Sequence, residues 1–263
     1  MKNAIKLIAI ALILAMGIVT MASCNTKDVI VVGYTIYEPM NYKNADGELV
    51  GFDTELAKKV FENLGYTVVF KEIVWEQKYT ELNSDSIHCI WNGFTSNGSD
   101  DGTPRAELVD FSYNYMENKQ VIVVKKDSGI ASADNLKDKI GYVEAASAGE
   151  SYAKSFEGAI VKTVTKQTEA IFEVFAGTAQ FAVVDAQLAK SLVGKGDYAD
   201  LEIIEALSSD VEYYGIGFKK GSDLTAKVNE QLEALAESGY LKTLAEKYGV
   251  ETTTITDFSD QKK

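Results

Sequence analysis

Short apolar runs alternate with stretches of helical periodicity along most of the chain. Val29 to Val32 is an unbroken β-branched run, the pattern of a strand buried on both faces. Asp46-Gly47 marks a turn. From Asp53 onward, Leu56, Val60, Phe61 and Leu64 fall at helical spacing, with Thr54 as the expected N-cap and Gly65 as the stop. Residues 67–70 form the next predicted strand. Strand, helix, strand in this order predicts a parallel pair joined by a right-handed crossover. The alternation continues with a helix at 75–82 and strands at 87–91, 121–124, 140–143, 160–164 and 181–184. Helical stretches are expected near 148–156, 169–175 and 186–193, and over 224–248 with a break at Gly239. The polar stretch 97–102 reads as a loop. The sheet pattern restarts near Val121 and ends near Ile204, which fits two α/β lobes with the second inserted into the first.

The first residues follow a different rule. Lys2 and Lys6 precede an apolar run over 7–19, and Met21-Ala22-Ser23-Cys24 comes next. A short basic segment, a brief apolar segment and small residues before a cut site predict a secretory signal. The segment resembles a bacterial lipoprotein signal, which implies lipid (palmitate) on Cys24 and a short tether over 24–28. Cys89 would then be the only free thiol. It sits in an apolar strand pattern and is expected to be a small core residue.

Composition narrows the chemistry. With 39 acidic and 26 basic residues the net charge is −13, so a nucleic-acid partner is not expected. One His and two Cys leave no ligand set for a zinc site, and no metal or cofactor is expected. The phosphate, dinucleotide, nucleophile-elbow and metalloprotease motifs are missing. His88 lies among apolar neighbours with no partner that would make it a base. Arg105 is the only arginine.

An ordered series of short motifs is more informative. Tyr37-Glu38-Pro39-Met40 follows the first strand, and residues 46–53 (DGELVGFD) lead into the first helix. Residues 105–112 (RAELVDFS), Val183-Val184-Asp185, residues 214–221 (YGIGFKKG), Ser238-Gly239-Tyr240-Leu241 and Glu246-Lys247-Tyr248-Gly249 complete it. The series resembles the polar amino-acid-binding proteins of ABC importers, the periplasmic-binding-protein-like type II family, from about Val29 to Gly249. The resemblance implies two Rossmann-like α/β lobes with a hinge and a ligand cleft between them. Lobe 1 would comprise 29–117 plus 212–249 and lobe 2 would comprise 118–211. The leader would be 1–23 and a C-terminal tail 250–263. Hinges are expected near 116–120 and 208–212.

A free amino acid presents a carboxylate and an ammonium, and burying either without a partner costs several kcal/mol. A guanidinium holds a carboxylate through two parallel hydrogen bonds, which a lysine does not. Arg105 stands at the family's carboxylate-clamp position; a surface ion pair with Asp101 or Glu107 is the plainer alternative. Asp185 ends a predicted parallel strand, where α/β clefts take ligands, and matches the family's ammonium-binding Asp. Capping the following helix is its plainer role. The resemblance further implies Tyr37 and Trp75 as aromatic walls, and Asn92, Gly93 and Thr95 as backbone and hydroxyl contacts. Ser147 would cap a helix and offer its hydroxyl to the carboxylate. Two departures stand out. Ala145-Ala146 replaces a common glycine before Ser147, and the loop 96–104 is long.

The resemblance therefore implies an extracytoplasmic receptor, a monomer tethered to the membrane through its lipid, that delivers a polar amino acid to an ABC permease. A neutral polar ligand such as cystine or glutamine comes first. Basic amino acids come second and would call for Glu38 or Glu76 in the cleft. An enzyme of the same fold, dehydratase-like and acting on a small carboxylate, is the alternative; it needs an acid or base such as Glu38, Glu76 or Glu144, each expected on the surface. A sensory domain would need further segments after Gly249, where only a polar tail is expected.

Overall fold

A computed structural model describes residues 28–262, so the leader and Cys24 lie outside the described residues. The chain enters through β1 (Val29–Tyr34), passes a hairpin of β2 (Tyr42–Lys43) and β3 (Leu49–Val50), and continues as α1 (Phe52–Asn63). β4 (Thr67–Glu72), a 3-10 turn at Trp75–Gln77, α2 (Lys78–Asn83) and β5 (Cys89–Thr95) follow. A hairpin of β6 (Ser99–Asp100) and β7 (Thr103–Pro104) leads to α3 (Arg105–Leu108), β8 (Asp110–Phe111) and β9 (Met116–Asn118). Next come β10 (Gln120–Lys125), β11 (Ile140–Glu144), α4 (Ala148–Lys154), β12 (Ile160–Val164) and α5 (Gln167–Ala176). β13 (Phe181–Asp185), α6 (Ala186–Leu192), β14 (Leu201–Ile204), β15 (Glu212–Phe218), α7 (Leu224–Glu237) and α8 (Tyr240–Tyr248) complete the chain walk.

Apart from the two hairpins, the described strands sort into two sheets. The first runs β4-β1-β5-β15-β8 with β9 also on β15, and the second runs β12-β11-β13-β10-β14. β1 is parallel to β4 and β5, and β11 is parallel to β12 and β13. The chain passes from the first sheet to the second between β9 and β10, and returns between β14 and β15. One apolar core joins the first lobe to one face of the second sheet, and a smaller core covers that sheet's other face. Leu56, Val60 and Phe61 of α1 pack with Val32 and Trp91 in the first lobe, and Ile122, Val143 and Phe181 pack together in the second.

Four local expectations change. Thr54 is not the N-cap of α1. Gly51 takes that position, the Phe52 and Asp53 amides bond to the carbonyls of Pro39 and Met40 at 3.0 Å each, and the Thr54 hydroxyl donates to Asn41 at 2.9 Å. The preceding loop thus supplies the orphan helix donors from its backbone. The strand expected at 87–91 begins at Cys89 and runs to Thr95. Just before it, His88 Nδ1 accepts the Val31 amide at 2.8 Å, standing in for a ladder carbonyl. The stretch 97–102 is not an open loop: Asp101 and Gly102, at φ 49° and 79°, form a two-residue hairpin turn. Finally, the residues after Gly249 are tied down. Ile255 donates to the Tyr115 carbonyl at 2.8 Å, and buried Phe258 stacks on Tyr113.

Candidate functional site

A narrow cavity of about 10 Å³ lies between the lobes, at the carboxyl ends of the parallel strands. The first lobe contributes Trp75, Asn92, Gly93, Thr95 and Arg105. The second contributes Glu144, Ser147, Ala148, Gln167 and Asp185. Seven of the eight ligand contacts expected from sequence therefore converge on one space. Tyr37 is not on its wall. It is buried behind Gly93, its hydroxyl 2.6 Å from that of Tyr214. A Cβ at Gly93 would fall 2.7 Å from the Tyr37 ring, and Gly93 itself sits at φ 56°, so this floor position requires glycine on both counts.

Arg105 begins α3 and is 1% exposed. Its partner is Asp100, neither Asp101 nor Glu107: Nε donates to Asp100 Oδ1 at 2.9 Å, and Nη1 donates to the Thr95 carbonyl at 3.3 Å. Nη2 lies 2.8 Å from Asp100 Oδ1 but out of line for a hydrogen bond, so its protons have no acceptor. Nε and Nη2 thus face the Asp100 carboxylate and Nη1 the Thr95 carbonyl, with the guanidinium against the face of Phe94 at 5.2 Å. Asp100 also meets Tyr79 Oη at 2.6 Å and Lys78 Nζ at 3.2 Å. Burial raises the Asp100 carboxyl, but Arg105 and Lys78 outweigh it and hold the group below its ordinary value.

Asp185 closes β13 and is 5% exposed. It precedes α6 yet makes no side-chain cap. Oδ1 instead accepts from Asn118 at 2.7 Å and Gln120 at 2.6 Å, and Oδ2 accepts from Gln167. Burial raises its pKa against the pull of these donors. Ser147 caps α4, its Oγ accepting the Glu150 amide at 3.0 Å, which leaves its hydrogen to donate. The Asn92 carboxamide is consumed by the scaffold: it accepts from the Thr35 amide at 2.7 Å and Asn41 at 3.0 Å, and donates to the Thr35 hydroxyl at 2.8 Å. The Thr95 hydroxyl donates to Glu212 at 3.2 Å. Trp75 meets Phe94 edge-on at 5.3 Å.

Gln167 and Lys78 escaped the sequence reading, and Glu144, named there as an acid of an enzyme alternative, was expected on the surface. Glu144 instead closes β11, is 3% exposed and lines the cavity. Burial, followed by the Asp185 charge, pushes its pKa up to about 8. Its position at a strand end, two residues before the helix-capping turn, was the available signal. Glu38 and Glu76 lie outside this cavity. Gln167 opens α5 and binds Asp185 twice, through its amide and by accepting the Asp185 N–H at 2.8 Å. Lys78 is 1% exposed, and Nζ reaches across the cleft to the Ala146 carbonyl at 3.0 Å. Burial pulls its pKa down to about 8.

Two α/β lobes closing on a small, charge-lined cavity, with the chain crossing twice between them, define a binding protein of the type II periplasmic class. The profile of the bacterial extracellular solute-binding proteins, family 3, matches residues 29–251, and the chain belongs to that family. It is 29% identical over 216 residues to the arginine-binding extracellular protein ArtP of Bacillus subtilis (strain 168), covering 81% of this chain and 82% of that one. It is 28% identical over 233 residues to the L-cystine-binding protein TcyA of the same organism, covering 86% and 83%. Among solved structures, an ancestral arginine-binding protein bound to arginine superposes with a TM-score of 0.77 at 32% identity, covering 85% of this chain and 99% of that one.

Proposed function

We propose that the protein captures a free amino acid outside the cytoplasmic membrane and delivers it to an ABC importer. One observation carries the reading: Arg105 of one lobe and Asp185 of the other, both buried, face a single closed cavity. The ligand carboxylate takes the Nη2 protons of Arg105, which have no in-line acceptor in the empty cleft, and the Ser147 hydroxyl. The ammonium takes the remaining lone pair of Asp185, which three amides already orient. The crossings near 116–120 and 208–212 serve as hinges, since the chain changes sheet there. The relatives' names, arginine- and cystine-binding, fit an amino-acid ligand.

A thermal-shift screen against the twenty amino acids plus cystine and ornithine tests the reading. Binding to the folded form alone stabilises by about 2.7 kcal/mol at a hundredfold excess over Kd. Arg105→Ala is expected to weaken the ligand by about 100-fold, as two charge-assisted hydrogen bonds are lost. No shift with any amino acid would sink the proposal. A buried acid beside the cavity, Glu144, is what an enzyme of this fold acting on a small carboxylate would also use. Recovery of the bound amino acid chemically unchanged after prolonged incubation excludes that second reading. Tethering through lipid on Cys24 belongs to the proposal, and Cys24→Ser should then move the protein out of the membrane fraction.

A further inference from the structure

We infer that Glu144 selects an amino acid whose side chain carries a second positive charge. The inference rests on the amino-acid reading above and adds the class of ligand. It comes from the charge balance of the closed cleft. Arg105 and Lys78 share Asp100, which offsets one of the two cations. Against the other stand Asp185, Glu144 and Glu212, and among the described residues none of these three forms an ion pair. With these carboxyls ionised the cleft would hold an excess of negative charge, which Glu144 relieves in the empty cleft by keeping its proton.

A zwitterionic ligand with a neutral side chain leaves that excess in place. Its ammonium is answered by Asp185 and its carboxylate by Arg105. Glu144 would remain 3% exposed beside Asp185, with no cation acting on it but Lys78, which is already paired with Asp100. An isolated buried carboxylate is unfavourable by several kcal/mol and escapes by taking up a proton. Its pKa of about 8 in the unliganded cleft expresses that tension. A ligand guanidinium or ammonium removes it.

The placement suits that role. Glu144 and Asp185 end the neighbouring parallel strands β11 and β13, so the two carboxylates stand side by side on the second lobe. Asp185 is already oriented by three amides, whereas no side chain is fixed on Glu144 beyond the nearby Gln167 amide. Trp75, on the facing lobe, offers an aromatic surface in the same cavity, and such surfaces attract cations.

Arginine and its uncharged isostere citrulline separate charge from shape. Isothermal titration of the purified protein with both, and with lysine, gives the ratio of dissociation constants. Arginine is expected to bind tenfold to a hundredfold more tightly than citrulline, the range for a hydrogen-bonded charge. In Glu144→Gln that ratio should collapse towards one, while Glu144→Asp should keep most of it. A citrulline-to-arginine ratio near one in the unmodified protein overturns the inference whatever the variants do. So does a ratio that Glu144→Gln leaves unchanged, or an equal loss for every ligand, which would make Glu144 a second holder of the α-ammonium. Binding of neutral amino acids alone overturns this inference while sustaining the amino-acid reading; binding of none overturns both.

Discussion

Glu144 makes the unliganded fold sensitive to pH. In the unfolded chain its carboxyl ionises near its ordinary 4.5, whereas in the fold it keeps its proton to about 8. Between those values the folded state holds one more proton than the unfolded state, so stability falls as pH rises, by up to about 1.4 kcal/mol per unit, and levels off above about 8. The groups around it act on this window in both directions: Asp185 and Glu169 raise the pKa, and Lys78 and the Gln167 amide lower it. Glu144→Gln has no proton to lose. Melting curves from pH 5 to 8 without ligand should therefore show the variant gaining on the parent protein as pH rises, by several degrees at pH 8. Parallel curves would remove the burial argument. A group that weakens the empty protein and strengthens the liganded one is the expected signature of a binding residue.

At the scale of elements, the β6–β7 hairpin shows what the long 96–104 segment does. Its Asp-Gly turn brings Asp100 onto three side chains at once, Tyr79, Lys78 and Arg105, two of them buried cations. Removing one partner from a buried ion pair costs roughly 3–5 kcal/mol, and Asp100 is 16% exposed, so Asp100→Asn should cost about 2–4 kcal/mol in denaturant unfolding. A loss below about 1 kcal/mol would class the cluster with surface pairs. The Asp-Gly pair was a readable hairpin signal, but nothing local indicated that Asp100 would face Arg105. Arg105, Asp185 and Ser147 were legible because local rules mark them: a lone guanidinium, a strand end and a helix start. Glu144, Gln167 and Lys78 were not, because their roles arise only where two lobes meet. The Ala145-Ala146 departure also gains a physical content. Ala146 sits at φ 56°, where an L-residue is strained by about 1 kcal/mol, and it is the residue whose carbonyl Lys78 takes.

Across the whole molecule, hydrogen bonds join the lobes at several places, three of them through Lys166, Ser191 and Lys78. Lys166 meets Glu72 at 2.6 Å, Ser191 donates to the Glu38 carbonyl at 3.2 Å, and Lys78 donates to the Ala146 carbonyl at 3.0 Å. The first involves side chains about one-third exposed and is worth little in water. The Lys78 bond is different, because its ammonium is 1% exposed and lies 4.6 Å from the Tyr79 ring centroid and 5.2 Å from that of Trp75. Parting the lobes would break that bond and let water reach the lysine. Lys78→Met keeps an apolar stem of similar length and removes the charge, and with it both the Ala146 bond and the Asp100 ion pair, so the equilibrium should shift towards an open form. A loss of about 1.4 kcal/mol in closure lowers ligand affinity about tenfold when closure is required for tight binding. Small-angle scattering should give a larger radius of gyration for the unliganded variant than for the parent, with the two curves converging at saturating ligand. Identical unliganded curves together with an unchanged Kd would mean that Lys78 follows closure and does not hold it. Because Lys78 shares Asp100 with Arg105, the proposed carboxylate clamp, a ligand settling on Arg105 would act on the same cluster that bridges the lobes, and binding and closure would then be parts of one electrostatic rearrangement.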